Sequence, residues 1–298
     1  MAELLADLAA AFKRDLRAEG RAERTGVIYG QAVTLFSTWL AQRGRPATLD
    51  ELTRSALRAW LAELADRHQA STVQTRYRSM RRFCGWLVAE GELDTHPMAG
   101  MAMPPAQAKP VPVLTDDDLA ALLKACTGRD FTHRRDEAVI RMLLDCGLRV
   151  SELCGITLAD LDLNREVALV TGKGNKTRAV YFGARTGRAL DRYLRERRTH
   201  KQARFTEALF LSQRGGLSAD GVRDILHTRG AQAGVTGLHP HRFRHTFAHD
   251  FLVSGGQERD LKRLAGWSSD VMLERYGSSA ADMRAREAVK RMRRGDRI

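Results

Sequence analysis

The segment LHPHRFRHTFAHDF, residues 238–251, is rich in side chains that bind metals or anions. Two arginines stand between two pairs of histidines: His239, His241, Arg242, Arg244, His245 and His249. On a helix, residues four apart share one face, so three of these histidines could form a metal site. Alternatively, the arginines bind an anion and a histidine assists them.

The neighbouring residues argue against the metal site. A zinc site on such a helix normally includes a carboxylate or a thiolate and has few cations beside it. Here Arg242 and Arg244 lie within the cluster, no HExxH motif is present, and no cysteine is adjacent in sequence. The sequence therefore predicts an anion site that uses no metal and no other cofactor. We expect His245 and His249 to have structural roles.

His241 and Arg244 have the spacing needed to approach one phosphate group. They lie one helical turn apart, so both side chains can reach the same ligand. A guanidinium binds two oxygens and stays charged, whereas an imidazole can exchange a proton near neutral pH. Many surface helices contain this pattern, so a phosphate site needs support from other segments.

Two further segments place cations at turns. In DCGLRVSEL, Arg149 follows a glycine that ends a helix; the alternative is a surface arginine paired with Glu152, one turn later. In TGKGNKTR, Lys173 lies in a tight β-turn that could deliver its ammonium group to a ligand, or it is a solvated turn residue. The segment is no P-loop, because the G-x-x-x-x-G-K-[ST] spacing fails and a hairpin surrounds it.

The overall composition favours a polyanionic partner. The 298 residues carry a formal net charge of +13, and nucleic acid is the commonest soluble polyanion. A merely basic surface is the alternative. The four cysteines lack the spacing of a disulfide framework, which is typical of core thiols in a reducing cytoplasm. No apolar run reaches membrane length, so no membrane association is expected.

The pattern of elements predicts a mainly α protein with a small antiparallel sheet, of the α+β class. Residues 3–92 contain helical patterns, among them a helix after residue 48 with Thr48 or Asp50 as its N-cap and a basic segment at 71–93. Five of the seven prolines follow within residues 97–112, which indicates a linker. We predict domains at 1–100 and 113–298, with a linker at 101–112.

The second domain is expected to combine helices with a hairpin. Helices are predicted at about 116–127, 131–146, 185–198, 218–232, 241–254 and 257–265. EVALVTGKGNKTRAVYFG, residues 166–183, predicts two strands around a turn, and ALFLS, residues 208–212, predicts a further short strand.

Taken together, the motifs resemble the tyrosine recombinases of the phage integrase family, specifically their two-domain Xer-like type. The matching motifs are GLRVSEL, GKGNKTR, HPHRFRHTFA and GWSSDVMLERYG, and they stand in the order of the family. The resemblance spans nearly the whole chain. It implies an N-terminal helical, SAM-like core-binding domain and a C-terminal catalytic domain.

The resemblance also assigns roles to individual residues. Tyr276 would attack a DNA phosphodiester, which gives a 3′-phosphotyrosyl link and a free 5′-hydroxyl. Arg149 and Arg244 would bind the non-bridging oxygens, with Glu152 as a structural support. Lys173 would protonate the 5′-oxygen leaving group.

Two remaining positions complete the expected site. His241 would assist proton transfer. Trp267 stands where most relatives have histidine, so we expect it to orient and pack the site and to transfer no proton. From the residues alone, Tyr276 could instead be a core aromatic side chain.

The function that the resemblance implies is site-specific recombination of double-stranded DNA, for DNA integration and excision, mobile-element transfer, or resolution of chromosome or plasmid dimers. The expected assembly is a homotetramer on two DNA sites, and an assembly with a second recombinase is the alternative. The C-terminal helix, about 279–294, would dock on a neighbouring subunit, unless it packs on its own chain. A type IB topoisomerase-like enzyme and a non-catalytic DNA-binding protein of the same fold are the alternatives.

Overall fold

The computed structural model describes a chain that divides into two compact units, residues 1–109 and 110–298. The described residues are 3–105, 112–172, 174–267, 269–270, 273, 281, 284–286, 288–292 and 294–297. Lys173 and Tyr276 lie outside them. The domain boundaries predicted at residues 100 and 113 stay a prediction.

The first unit is a bundle of α-helices around an aromatic core. Its helices are α1 Leu5–Ala18, α2 Glu23–Ala41, α3 Arg54–Arg67 and α4 Ala70–Ala89. The buried residues of α1 recur at helical spacing and are Leu5, Leu8, Phe12 and Leu16. The ring of Phe12 lies 5.5 Å from that of Phe83 and 5.3 Å from that of Trp86, so α1 is anchored on α4.

The predicted N-cap of α3 is wrong. Thr53 caps the helix by accepting a hydrogen bond from the N–H of Ala56, whereas Thr48 and Asp50 lie earlier in the chain. The backbone N–H of Leu49 donates instead to the carbonyl of Glu3, and a 3₁₀ turn follows at Leu49–Glu51. This extra turn delays the start of the helix.

Helix α4 carries the basic side that its sequence indicates. Arg78, Arg81 and Arg82 are exposed, while Met80 and Phe83 are fully buried. Part of this charge is fixed in place, because Arg82 pairs with Glu19 at 2.7 Å.

The second unit combines α-helices with a small antiparallel sheet. Its helices are α5 Asp116–Ala125, α6 Phe131–Cys146, α7 Val150–Gly155, α8 Ala184–Thr199, α9 Ala219–Ala233, α10 Pro240–Val253 and α11 Glu258–Ala265. Its strands are β1 Leu161–Asp162, β2 Val167–Thr171, β3 Thr177–Tyr181, β4 Leu211–Ser212 and β5 Gly215–Gly216. The predicted fold class is confirmed.

Helix α6 forms the centre of this unit. It packs against α8 and α10, and Val139, Ile140, Met142 and Leu143 are fully buried. The predicted hairpin forms as β2 and β3, with Val167 opposite Tyr181 and Thr171 opposite Thr177. Its inner face packs on the core through Ala168, Val170 and Val180.

The strand predicted over ALFLS is shorter than expected. Only Leu211–Ser212 pairs as a strand, with Gly215–Gly216. Before it, the N–H of Leu209 donates to the carbonyl of Ile156 at 2.8 Å, and the carbonyl of Leu209 accepts from the hydroxyl of Tyr193. Because of these hydrogen bonds, residues 208–210 do not pair with β5.

The cysteines are free thiols, and Cys84, Cys126 and Cys146 are buried. Burial raises the pKa of Cys84 and of Cys126 to about 12, so both stay protonated in the core. Among the described helices, none is long and apolar enough to cross a membrane.

Candidate active site

The site begins where α6 ends. Gly147 caps the helix in the left-handed conformation, with φ of 55°. A Cβ atom at this position would lie 2.3 Å from Cδ1 of Phe247, so the close approach of α10 also requires glycine. The chain then turns sharply, and Arg149 lies just after this glycine, as the sequence predicts, at the start of α7, a helix that was not predicted.

Arg149 is held by the carboxylate of Glu152. Its Nη1 donates to Oε1 of Glu152 at 2.7 Å, and its backbone N–H donates to Oε2 at 2.9 Å. The Glu152 side chain is 1% exposed, whereas that of Arg149 is 33% exposed. Glu152 therefore holds Arg149 on its buried side and leaves part of the guanidinium accessible to a ligand.

A second arginine, Arg178 on β3, binds the same carboxylate. Its Nη1 donates to Oε1 at 2.8 Å and its Nη2 to Oε2 at 3.0 Å. Burial alone would raise the pKa of Glu152, but the hydrogen bonds from Arg178 and Arg149 outweigh it and lower that pKa to about 2. Glu152 is thus ionised at every working pH. The sequence reasoning missed Arg178.

Helix α10 supplies the second predicted arginine. His239 caps the helix through Nδ1, which accepts from the N–H of Arg242 at 3.2 Å, and Pro240 occupies the first helical position. His241 follows and is exposed, and Arg244 lies one turn later with 2% of its surface exposed.

Arg244 is fixed by backbone carbonyl groups of two other segments. Its Nη1 donates to the carbonyl of Gly147 at 2.6 Å and its Nη2 to the carbonyl of Ala265 at 2.5 Å. Cζ of Arg244 lies 5.5 Å from the ring centre of Trp267. The distance is that of a cation–π contact, and the role of Trp267 in orienting the site stays a prediction.

Trp267 itself is 6% exposed and belongs to a small apolar cluster with Ala248, Leu252, Leu261 and Ala265. It follows directly on Gly266, which ends α11 in the left-handed conformation. The carbonyl of Gly266 accepts a hydrogen bond from Nη2 of Arg149 at 3.3 Å. The end of α11 therefore contacts both predicted arginines.

The hairpin approaches the same place through Gly172. A Cβ atom on Gly172 would lie 3.1 Å from Oε1 of Glu152 and 3.9 Å from Nη1 of Arg149. The N–H of Gly172 donates to the carbonyl of Lys176 at 2.9 Å, which closes the turn. Lys173 comes next in the chain but lies outside the described residues, as does Tyr276.

The other histidines of α10 differ from His241 in their burial. His245 is 2% exposed and His249 is 9% exposed, in agreement with the structural roles expected for them. In the described parts of the chain, no group of three histidine, cysteine, aspartate or glutamate side chains is placed to hold a metal ion.

Comparison with known families now identifies this arrangement. The family model "Phage integrase family" matches residues 112–283, more than half of the chain. A second, "Phage integrase, N-terminal SAM-like domain", matches residues 9–91. The chain belongs to the phage integrase family.

Relatives within this family are tyrosine recombinases. The integrase-family chain is 36% identical to tyrosine recombinase XerC of Mycobacterium bovis, over 86% of this chain and 88% of the relative. It is 34% identical to tyrosine recombinase XerC of Anoxybacillus flavithermus, over 76% of this chain and 77% of the relative. The chain is accordingly a site-specific tyrosine recombinase, an enzyme that cleaves and rejoins DNA through a tyrosine nucleophile.

Solved structures share the fold of this integrase-family chain. The Tn1549 transposon integrase in complex with a circular intermediate DNA aligns with a TM-score of 0.74 at 19% identity, over 95% of this chain and 99% of the other. The XerH recombinase bound to palindromic difH substrate aligns with a TM-score of 0.75 at 16% identity, over 91% of this chain and 81% of the other. These likenesses concern the fold alone.

Proposed function

We propose that Arg149 and Arg244 form a clamp for the non-bridging oxygens of the scissile DNA phosphate. The observation that carries this proposal is that both guanidinium groups hydrogen-bond to consecutive carbonyls at the end of α11, those of Gly266 and Ala265. Arg149 is 117 positions from Gly266 in the sequence and Arg244 is 21 positions from Ala265, yet both are bound at this one helix end.

The charge at this place suits a phosphate. Two guanidinium groups, those of Arg149 and Arg178, bind the buried carboxylate of Glu152, and a third, that of Arg244, is bound at the same helix end by the carbonyl of Ala265. The excess positive charge lies in a mostly buried, low-dielectric setting, where it stabilises developing negative charge better than it would in water. The cations need no reorganisation during the reaction because protein hydrogen bonds already hold them.

The remaining roles follow from the chemistry of phosphodiester exchange. Tyr276 attacks the phosphorus, the bond to the 5′-oxygen breaks, and a 3′-phosphotyrosyl link forms. Lys173 gives a proton to the departing 5′-oxygen, and His241 assists proton transfer. Trp267 orients Arg244 through its ring and transfers no proton. Because one phosphate ester replaces another, the exchange is close to isoenergetic and needs no nucleotide hydrolysis.

For the biological setting, we propose a Xer-type recombinase that acts in the cytoplasm as a homotetramer on two DNA sites. The relatives named XerC support the type, and the palindromic substrate of XerH suggests one subunit per half-site. In the described part of the C-terminal segment, Arg284 pairs with Glu258 of its own chain at 2.9 Å.

A strand-exchange experiment tests this function against simple relaxation. Sheared genomic DNA of the host is incubated with the native protein, and the reaction is then stopped with denaturant. DNA fragments that remain covalently attached to the protein are sequenced to find the site. Two copies of this site on one supercoiled plasmid should then yield deletion or inversion products. Relaxation of the plasmid regardless of the site, without recombinant products, would support the topoisomerase-like alternative.

A further inference from the structure

We infer that Arg178 is a positioning residue for the phosphate clamp, which fixes Glu152 and the end of α11 and thereby holds Arg149 and Arg244 in place. This inference rests on the proposed clamp. It concerns a residue outside the set that performs the chemistry, because Arg178 acts through other side chains.

Three arginines share the carbonyl groups at the end of α11. Nε of Arg178 donates to Leu264 at 2.8 Å, Nη2 of Arg244 to Ala265 at 2.5 Å, and Nη2 of Arg149 to Gly266 at 3.3 Å. The last carbonyls of a helix lack partners within the helix and carry partial negative charge, so they attract cations. Consecutive carbonyls thus set the relative positions of arginines from three separate elements.

Arg178 links this helix end to both oxygens of Glu152 through its guanidinium alone, whereas Arg149 reaches the second oxygen through its backbone N–H. Three of its N–H groups point in different directions within one rigid plane, which a guanidinium permits and a single ammonium group does not. Glu152 in turn holds the side chain and the backbone N–H of Arg149. Arg178 and Arg149 are therefore connected through the carboxylate of Glu152, which binds both.

Two glycines allow this close packing. Gly266 has φ of 63°, and a Cβ atom there would lie 3.2 to 3.3 Å from Nη1, Cζ and Nε of Arg178. A Cβ atom on Gly172 would lie 3.1 Å from Oε1 of Glu152. The guanidinium of Arg178 and the carboxylate of Glu152 are thus both covered by backbone without side chains, and the arrangement leaves little room for alternative positions.

Exposure distinguishes Arg178 from Arg149, although Arg244 is buried more deeply than either. Its side chain is 15% exposed, against 33% for Arg149, and its hydrogen bonds to Leu264 and Glu152 direct it into the protein. Without Arg178, Glu152 would have only Arg149 as its cationic partner, and Leu264 would lose its contact with β3. We expect Arg149 to turn toward Glu152 and the end of α11 to shift.

The test compares Arg178→Lys and Arg178→Gln with a control in the turn between β1 and β2, Arg165→Gln, whose side chain is 84% exposed. Single-turnover cleavage is measured on a nicked duplex of the trapped site. We expect both Arg178 variants to bind duplex DNA normally but to cleave about 10- to 100-fold more slowly, because an ångström-scale misplacement costs that much. The control should cleave at the wild-type rate.

A second substrate separates positioning of the clamp from general damage. A methylphosphonate at the scissile position lacks one anionic oxygen, so cleavage depends less on the clamp. The deficit of the Arg178 variants should shrink on this substrate. An equal deficit on both substrates would overturn the inference.

Parallel variants keep the test decisive. If Arg149→Ala loses cleavage but the Arg178 variants do not, the positioning role is refuted while the clamp stands. If Arg149→Ala cleaves normally, the proposed clamp itself fails. If Arg178→Gln does not fold, two other variants take its place. Arg178→Lys retains the charge, and the double variant Arg178→Gln/Glu152→Gln removes both partners of the buried pair. Their cleavage rates are compared on the same two substrates.

Discussion

The guanidinium of Arg244 donates a 2.6 Å hydrogen bond to the carbonyl oxygen of Gly147, two residues before Arg149 in the chain. Arg244 on α10 thus binds the turn that precedes Arg149. Because these contacts lie within the protein, the proposed clamp would be assembled by folding, and DNA binding need not create it. A preorganised set of cations is the arrangement that stabilises a charged transition state most effectively.

Gly147→Ala tests this turn. The new methyl group would meet Phe247, and alanine would be forced into a left-handed conformation. We expect the free energy of unfolding to fall by about 3 kcal/mol, since strain and overpacking act together. Urea denaturation measures this loss, and cleavage should slow in the fraction that remains folded.

Gly234→Ala is the matched control for Gly147→Ala. Gly234 ends α9 with φ of 71°, but a Cβ atom there would meet nothing within 4 Å. Only the conformational strain remains, so the loss should be about 1–2 kcal/mol and cleavage should be unaffected. Equal losses for the two variants would show that contact with Phe247 does not matter.

Glu152→Gln tests the buried carboxylate. It leaves Arg149 and Arg178 without a negative partner, and breaking a buried pair costs about 3–5 kcal/mol. We expect a loss of this size in urea denaturation at neutral pH, together with slower cleavage. The control Glu23→Gln removes an exposed partner of Arg17 and should change stability by less than about 0.5 kcal/mol.

The effect of Glu152→Gln should depend on pH. The pKa of Glu152 is lowered from the usual 4.5 to about 2, so its ionised form stabilises the folded state. This contribution is complete above pH 4.5 and is lost as the pH falls toward 2. The stability difference between wild type and Glu152→Gln should therefore be smaller at about pH 3 than at about pH 7. A constant difference would contradict the assigned pKa.

Lys173→Ala tests the general acid. We expect cleavage of an ordinary phosphodiester to slow by about 10²–10⁴-fold, the usual contribution of a positioned proton donor. A 5′-thiol leaving group needs no proton, so a substrate with 5′-sulfur at the scissile bond should be cleaved at nearly the wild-type rate. Absence of rescue would assign proton donation to another residue.

Much of the fold could be predicted because its signals are local. Gly147 marks the end of α6, and the apolar alternation of residues 167–181 marks the hairpin. The pairing of Arg149 with Glu152 also follows from helical spacing. The N-cap predicted for α3 was wrong because the backbone N–H of Leu49 donates a hydrogen bond to the carbonyl of Glu3. The residues near the helix do not reveal this contact.

Arg178 could not be predicted for a similar reason. Its partners are Glu152, 26 residues earlier, and Leu264, 86 residues later, and neither spacing follows a helical or strand period. On the sequence it ends the GKGNKTR motif, but nothing in that motif indicates which residues it contacts. The glycines that accommodate it, Gly172 and Gly266, gave a further signal, since each stands beside a motif residue where a close approach is required.

The central claim is that Tyr276 forms the covalent link to DNA, and peptide mapping tests it most directly. The protein is trapped on a nicked duplex of its site and digested with protease and nuclease, and the modified peptide is identified by mass spectrometry. We predict a 3′-nucleotide on Tyr276, and no adduct but normal duplex binding for Tyr276→Phe. A nucleotide on another residue, or an adduct in Tyr276→Phe, would contradict the account.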